Sequence, residues 1–137
     1  MATLTGSQVI TGASGVNVIC VTNVNVGNGQ LITLDGPADK SAEFIFVVSG
    51  NFKIQGKIQV SGNVLKSKVL YNVIGTGSDV SFTGGGGGVG CCKAEIDGSL
   101  IAVQRKIALA PGRINGQVCS NQDQSYVSGS SVRCPTQ

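Results

Sequence analysis

The sequence has no histidine and no tryptophan, and only 12% of its 137 residues are charged. The missing histidine removes the commonest general base and every Ser-His or Cys-His nucleophile pair. It also leaves any zinc site to cysteines alone, and no CxxC pair exists to begin one. Aromatics are scarce at 4%, and ten Lys and Arg against seven Asp and Glu leave a net charge of +3. The basic residues are scattered, so the stripe of cations interleaved with aromatics that would mark a nucleic-acid surface is absent. No apolar run approaches the roughly 20 residues of a membrane span, and no cleavable signal is visible. The triplet Gln104-Arg105-Lys106 reads as a solvated turn. Helix signals, a sustained 3.6-residue apolar period with cap and stop, are also lacking.

What is present is glycine, valine, isoleucine and uncharged polar residues. The 21 Gly are about twice the usual share. Val and Ile, stiff at χ1, supply a core that favours strands. A strand-turn unit recurs about every 25 residues. Val18-Ile19-Cys20-Val21 leads to Leu31-Ile32-Thr33-Leu34-Asp35-Gly36. Phe44-Ile45-Phe46-Val47-Val48 leads to Lys57-Ile58-Gln59-Val60-Ser61-Gly62. Val69-Leu70-Tyr71-Asn72-Val73 leads to Asp79-Val80-Ser81-Phe82-Thr83-Gly84. Aligned this way, Cys20, Phe46 and Tyr71 occupy equivalent positions. A repeat of this length predicts an all-β solenoid, whose coils bury an apolar face only by stacking. A β-sandwich or jelly roll of short strands is the competing architecture. Residues 1–137 read as one domain, with a flexible glycine-rich loop at 84–90 and a polar C-terminal tail from about residue 120 to 137. The five-glycine run, Gly84 to Gly88, lacks the GK[ST] ending of a phosphate-binding loop. No cofactor is therefore expected, and a second part of the chain begins after the run.

The cysteines are Cys20, Cys91, Cys92, Cys119 and Cys134. Their use fits an oxidising, extracellular setting. Cys119 and Cys134 flank a short polar stretch and are candidates to staple the tail. Cys20 with Cys91 or Cys92 is a candidate bridge between coils, and the odd thiol is left free or pairs between chains. The alternative is that all five are reduced and fill small apolar sites. Among the acids, Glu95 and Asp97 share one strand face. They read as surface charges at a coil corner in preference to a glycosidase pair. Asp35 and Asp39 read as Asx-turn residues in preference to calcium ligands. No catalytic residue and no metal site is expected.

Asp97-Gly98-Ser99-Leu100-Ile101-Ala102, followed by Ile107-Ala108-Leu109-Ala110-Pro111-Gly112-Arg113-Ile114-Asn115-Gly116-Gln117-Val118, resembles the "GxLLAP…G(V/I)NGqV" end of the choice-of-anchor A family. Val69-Leu70-Tyr71-Asn72-Val73 is similar to its "VLyNf" strand, and Val16-Asn17-Val18-Ile19 to its "vNVf" strand. Similar coils occur in the microbial ice-binding β-solenoid family. The resemblance covers roughly Leu4 to Val132 and implies a secreted or surface-attached, mostly non-enzymatic right-handed solenoid. Leu100-Ile101-Ala102-Val103 lacks the proline of the "LLAP" motif. The family's first coils and any capping helix are missing, so an apolar coil end is expected to be covered by a second copy. The expected function is a structural or adhesive surface protein that self-associates into an oligomer or fibre through strand edges or coil ends. The alternative is ice binding through a column formed by Thr33, Gln59 and Ser81. Partners are thus a second copy, a surface polymer or ice.

Overall fold

The computed structural model describes residues 3–84, 93–121, 124–126 and 131–133. Seventeen short strands run in chain order: β1 (Thr3–Thr5), β2 (Gln8–Thr11), β3 (Gly15–Val21), β4 (Asn23–Val26), β5 (Leu31–Asp35), β6 (Ala42–Val48), β7 (Phe52–Ile54), β8 (Lys57–Val60), β9 (Val69–Val73), β10 (Val80–Phe82), β11 (Glu95–Asp97), β12 (Ser99–Ile101), β13 (Ile107–Leu109), β14 (Arg113–Asn115), β15 (Val118–Cys119), β16 (Gln124–Tyr126) and β17 (Ser131–Arg133). They visit three sheets in strict rotation. Sheet A is ordered β1-β4-β7-β10-β13-β16, sheet B β2-β5-β8-β11-β14-β17, and sheet C β3-β6-β9-β12-β15. Each strand lies parallel to its counterparts in the neighbouring coils, as in β3 with β6 and β6 with β9. This is a β-solenoid. Parallel sheets built from consecutive coils exclude the sandwich alternative, whose sheets are antiparallel.

The repeat seen in the sequence is real, but its phase and content differ. Each coil holds three strands instead of two. The register pairs Ile19 with Phe46 and Phe46 with Tyr71, so Cys20 sits opposite Val47. Ile19 points inward and Cys20 outward, because alternate residues of a strand take opposite faces. Coil length also varies. Asp35 and Ser61, on neighbouring coils, are 26 residues apart; Val60 and Asp97 are 37 apart; Asp97 and Asn115 are 18 apart. The longest step contains the glycine run, residues 85–92 of which lie outside the described residues. The run falls between β10 and β11, at one corner of a coil, and the three sheets continue on both sides of it. It does not begin a second part.

Inward positions form ladders of like residues. On sheet B, Ile32, Ile58, Ile96 and Ile114 stack in register and are fully buried. Each contributes about 1.5–3 kcal/mol through its buried side chain. The aromatics Phe44, Phe46, Phe52, Tyr71 and Phe82 fill the middle of the core, with Phe46 and Tyr71 stacked at 5.2 Å. The 18-residue corner between sheets B and C needs glycine. Gly98 has φ +128°, and a Cβ on Gly116 would lie 2.2 Å from the Gly98 carbonyl oxygen. The Asp-Gly and Asn-Gly pairs of the sequence are therefore corner pieces that stack on each other.

The first coil departs from the pattern at two inward positions. Gln8 pairs with Ile32, and Asn17 with Phe44. Asn17 donates to the Glu43, Ala13 and Gly15 carbonyls and accepts from the Ala13 N–H. Two polar side chains thus stand where later coils carry isoleucine and phenylalanine. This is the composition of a terminal repeat that faces water, and the expected bare apolar end is partly polar.

Candidate functional site

The three outer faces differ sharply in chemistry. On sheet B, Lys57, Glu95 and Arg113 form one ladder, with Lys57 Nζ 3.6 Å and Arg113 Nη1 3.9 Å from the Glu95 carboxylate. Beside it, the Asn115 side-chain amide donates to Glu95 at 2.7 Å and to Asp97 at 2.8 Å. Asp97 also accepts the Val60 N–H at 3.0 Å and has Lys66 Nζ 3.8 Å away. The Glu95–Asp97 pair considered for sugar chemistry is thereby committed to cross-coil bonding. Sheet A presents the ladder Thr5, Asn25, Lys53, Ser81 and Ala108.

Sheet C presents no charge at its centre. One outward ladder is Val18, Ile45, Leu70 and Ser99, continued by Gln117, whose N–H donates to Ser99 Oγ. The next is Cys20, Val47, Asn72, Ile101 and Cys119. Neighbouring strands in such a ladder are about 4.8 Å apart. Five large apolar side chains are exposed: Val9 (63%), Val16 (57%), Val18 (59%), Ile74 (43%) and Val103 (40%). Val16 and Val18 lie on β3. Ile74 and Val103 directly follow β9 and β12 and line a shallow pocket with Asn72. Four of the five therefore belong to this face or its continuation. A groove of about 430 Å³ runs across it, floored by Ile45, Leu70 and Ile101 and rimmed by Glu43, Ser67 and Lys68. One rim is formed by the single 3-10 turn Lys66–Lys68, and Lys68 Nζ is held by the Lys40 carbonyl at 3.1 Å. An apolar centre within a polar rim is the anatomy of a contact surface.

The residues singled out from the sequence are distributed as follows. Thr33 and Gln59 are neighbours on sheet B, whereas Ser81 lies on sheet A between Lys53 and Ala108. The structure therefore does not assemble the three into one column. The third unit of the repeat places its second strand, β10, in sheet A, and its sheet B strand comes after the glycine run. Cys20 and Cys119 are exposed free thiols at opposite edges of sheet C. Cys91, Cys92 and Cys134 lie outside the described residues. Asp39 accepts from Ser41 N and Oγ two residues on, at 3.1 and 2.6 Å, the geometry of an Asx turn. Asp35 accepts from Ser61 Oγ at 2.6 Å and Asn63 Nδ2 at 3.3 Å across the coil step. The Ser61 hydroxyl, then the Gly36 N–H, hold its carboxyl below the usual range. Among the described residues no group of three or more His, Cys, Asp or Glu is placed to hold a metal.

Arg105 corrects the sequence reading outright. It is 2% exposed and is no solvated turn. Its guanidinium donates to the carbonyls of Ser49, Gly50, Ile74, Gly75 and Ser78. Burial lowers its pKa from the ordinary value. This side chain ties together two corners of successive coils, a structural role that gives no opening for an anion.

A family profile described as an ice-binding-like adhesive domain matches residues 2–131, nearly the whole chain. The chain belongs to this family. The match carries the ice-binding-like side of the resemblance read from the sequence and does not extend to the choice-of-anchor A family. No curated protein and no solved structure matches the chain. For an ice-binding-like adhesive domain, the charge-free outer face of sheet C is the surface to weigh first. The sequence hid this face because its side chains alternate with core residues inside the same apolar strands. In Phe44-Ile45-Phe46-Val47-Val48, the phenylalanines and Val48 are buried while Ile45 and Val47 face outward. The signal was the run's continuity, more apolar than a strand with one wet face requires.

Proposed function

We propose that this domain is a non-enzymatic adhesive module of the cell surface or extracellular space, which holds a surface through the outer face of sheet C. The observation that carries the reading is the concentration of exposed aliphatic side chains on that one face while the other two bear Lys53, Lys57, Glu95 and Arg113. Patches of this kind on a soluble domain mark contact sites. The face has no exposed aromatic ring among its described side chains, so it lacks the stacking platforms that sugars favour, and an apolar surface is the better ligand. The test is adsorption to alkyl-coated and hydroxyl-coated sensor chips. Wild type adsorbs preferentially to the alkyl chip. The pair Ile45→Lys and Leu70→Glu lowers adsorption at least tenfold, while Lys53→Glu on sheet A leaves it unchanged. Equal adsorption by the sheet C and sheet A variants would refute the reading.

Ice is a second reading, favoured by the family and by the in-register, charge-free ladders of sheet C, which give a regular surface without ions to hold liquid water. It predicts inhibition of ice recrystallisation that the same sheet C variants abolish. No inhibition at high protein concentration would remove it.

A further inference from the structure

We infer that the occupant of the sheet C face is a second copy of this domain, packed face to face about a two-fold axis parallel to the strands. The inference rests on the adhesive reading and names its partner. Five strands at about 4.8 Å and seven residues at about 3.3 Å give a footprint of roughly 500 Å² per copy, or about 1,000 Å² for a pair. That lies at the low end of specific interfaces and suits a weak, reversible contact.

Self-complementarity comes from the register. With β9 central among the five strands of sheet C, the two-fold axis sets β9 over β9, β6 over β12 and β3 over β15. Leu70 then meets Leu70, and Asn72 meets Asn72, whose amide is both donor and acceptor and pairs with itself. Ile45 lies over the small Ser99, and Val47 over Ile101. Large side chains face small ones, which lets flat sheets interdigitate at the usual separation of about 10 Å. A two-fold axis along the solenoid would instead lay the Glu43 and Lys68 rim over Ile74 and Val103. That arrangement desolvates two charges with nothing to pair them.

The same geometry sets Cys20 opposite Cys119 of the other copy. Sheets about 10 Å apart hold these thiols too far apart for a disulfide, whose Cα atoms lie within about 7 Å. They remain within reach of a short bis-maleimide. The experiment uses the full chain in two isotopic forms, mixed and studied by sedimentation equilibrium and by cross-linking with peptide mapping. Wild type should dimerise with a dissociation constant on the order of 100 µM. Leu70→Glu should weaken association at least tenfold. The mixed-isotope cross-link should join Cys20 to Cys119 and vanish in either single serine variant. A chain that stays monomeric to about 1 mM, or a dominant Cys20–Cys20 cross-link, would overturn the inference. Adsorption to alkyl chips at 1% of the dimer dissociation constant separates the two readings. If the monomer adheres and Leu70→Glu does not, the homophilic inference alone fails. If both adhere equally, the adhesive reading fails with it.

Discussion

Arg105→Met should be among the most damaging single changes in this domain. The arginine side chain is 2% exposed and supplies donors to five backbone carbonyls on the Ser49–Gly50, Ile74–Gly75 and Ser78 segments. Methionine keeps much of the volume and removes every donor. Each carbonyl left without a partner costs about 1–3 kcal/mol. Against that, the wild-type protein bears the cost of burying a guanidinium with no carboxylate beside it, which the substitution relieves. Water entering the vacated corner re-satisfies some of the carbonyls. The balance is a loss of about 3–5 kcal/mol, the range found when a buried charge network loses one member. For a domain of this size, that is a fall in Tm of roughly 10–20 °C. Arg105→Lys keeps the charge but offers three donors from a single point, and should recover less than half of the loss. The assay is urea and thermal unfolding of the three proteins side by side. A loss below about 1 kcal/mol for Arg105→Met would show that the corners do not depend on the clamp.

Three further outcomes follow from the coil contacts. Gly116→Ala places a methyl group 2.2 Å from the Gly98 carbonyl oxygen, so it should cost at least about 3 kcal/mol in chemical unfolding, whereas Gly62→Ala, which meets nothing within 4 Å, should be near neutral. Asn115→Leu takes one donor from both Glu95 and the buried Asp97, costing about 2–4 kcal/mol, and Asp97→Asn in that background should restore part of the loss. Because Asp35 is bonded most strongly by Ser61, its folded pKa is depressed; its contribution is intact above the ordinary value near 4 and fades as pH falls through the lowered one. Ser61→Ala should move the Asp35 titration back up in carbon-detected NMR and make stability less sensitive to acid across that window.

Architecture was legible in the sequence because solenoids write their period into it. Phe46 and Tyr71 share a ladder and stack, as the alignment of those strands required. What stayed hidden was three-dimensional phase. Nothing local in Val18-Ile19-Cys20-Val21 states whether Ile19 or Cys20 points inward, since both are tolerated in cores. The pairing with β6 decides it. The short strand at Val80–Phe82 was assigned to the wrong face because the glycine run postponed the coil's next strand. Arg105 misled for a different reason. A lone cation between Gln104 and Lys106 carries no mark of burial, and its partners are main-chain carbonyls up to 56 residues distant, on Ser49 and its neighbours. The contact face escaped notice because aliphatic side chains at outward positions look like core until the coils are wound. Gln8 and Asn17, polar at inward positions of the first coil, were equally invisible without the ladders they interrupt.

The central claim is that this domain adheres through the outer face of sheet C. The most direct measurement is the alkyl-chip adsorption of Ile45→Lys with Leu70→Glu, beside Lys53→Glu and wild type, each confirmed folded by its unfolding midpoint. The account predicts that only the sheet C pair loses adsorption, by tenfold or more. Undiminished adsorption by that folded pair would contradict it.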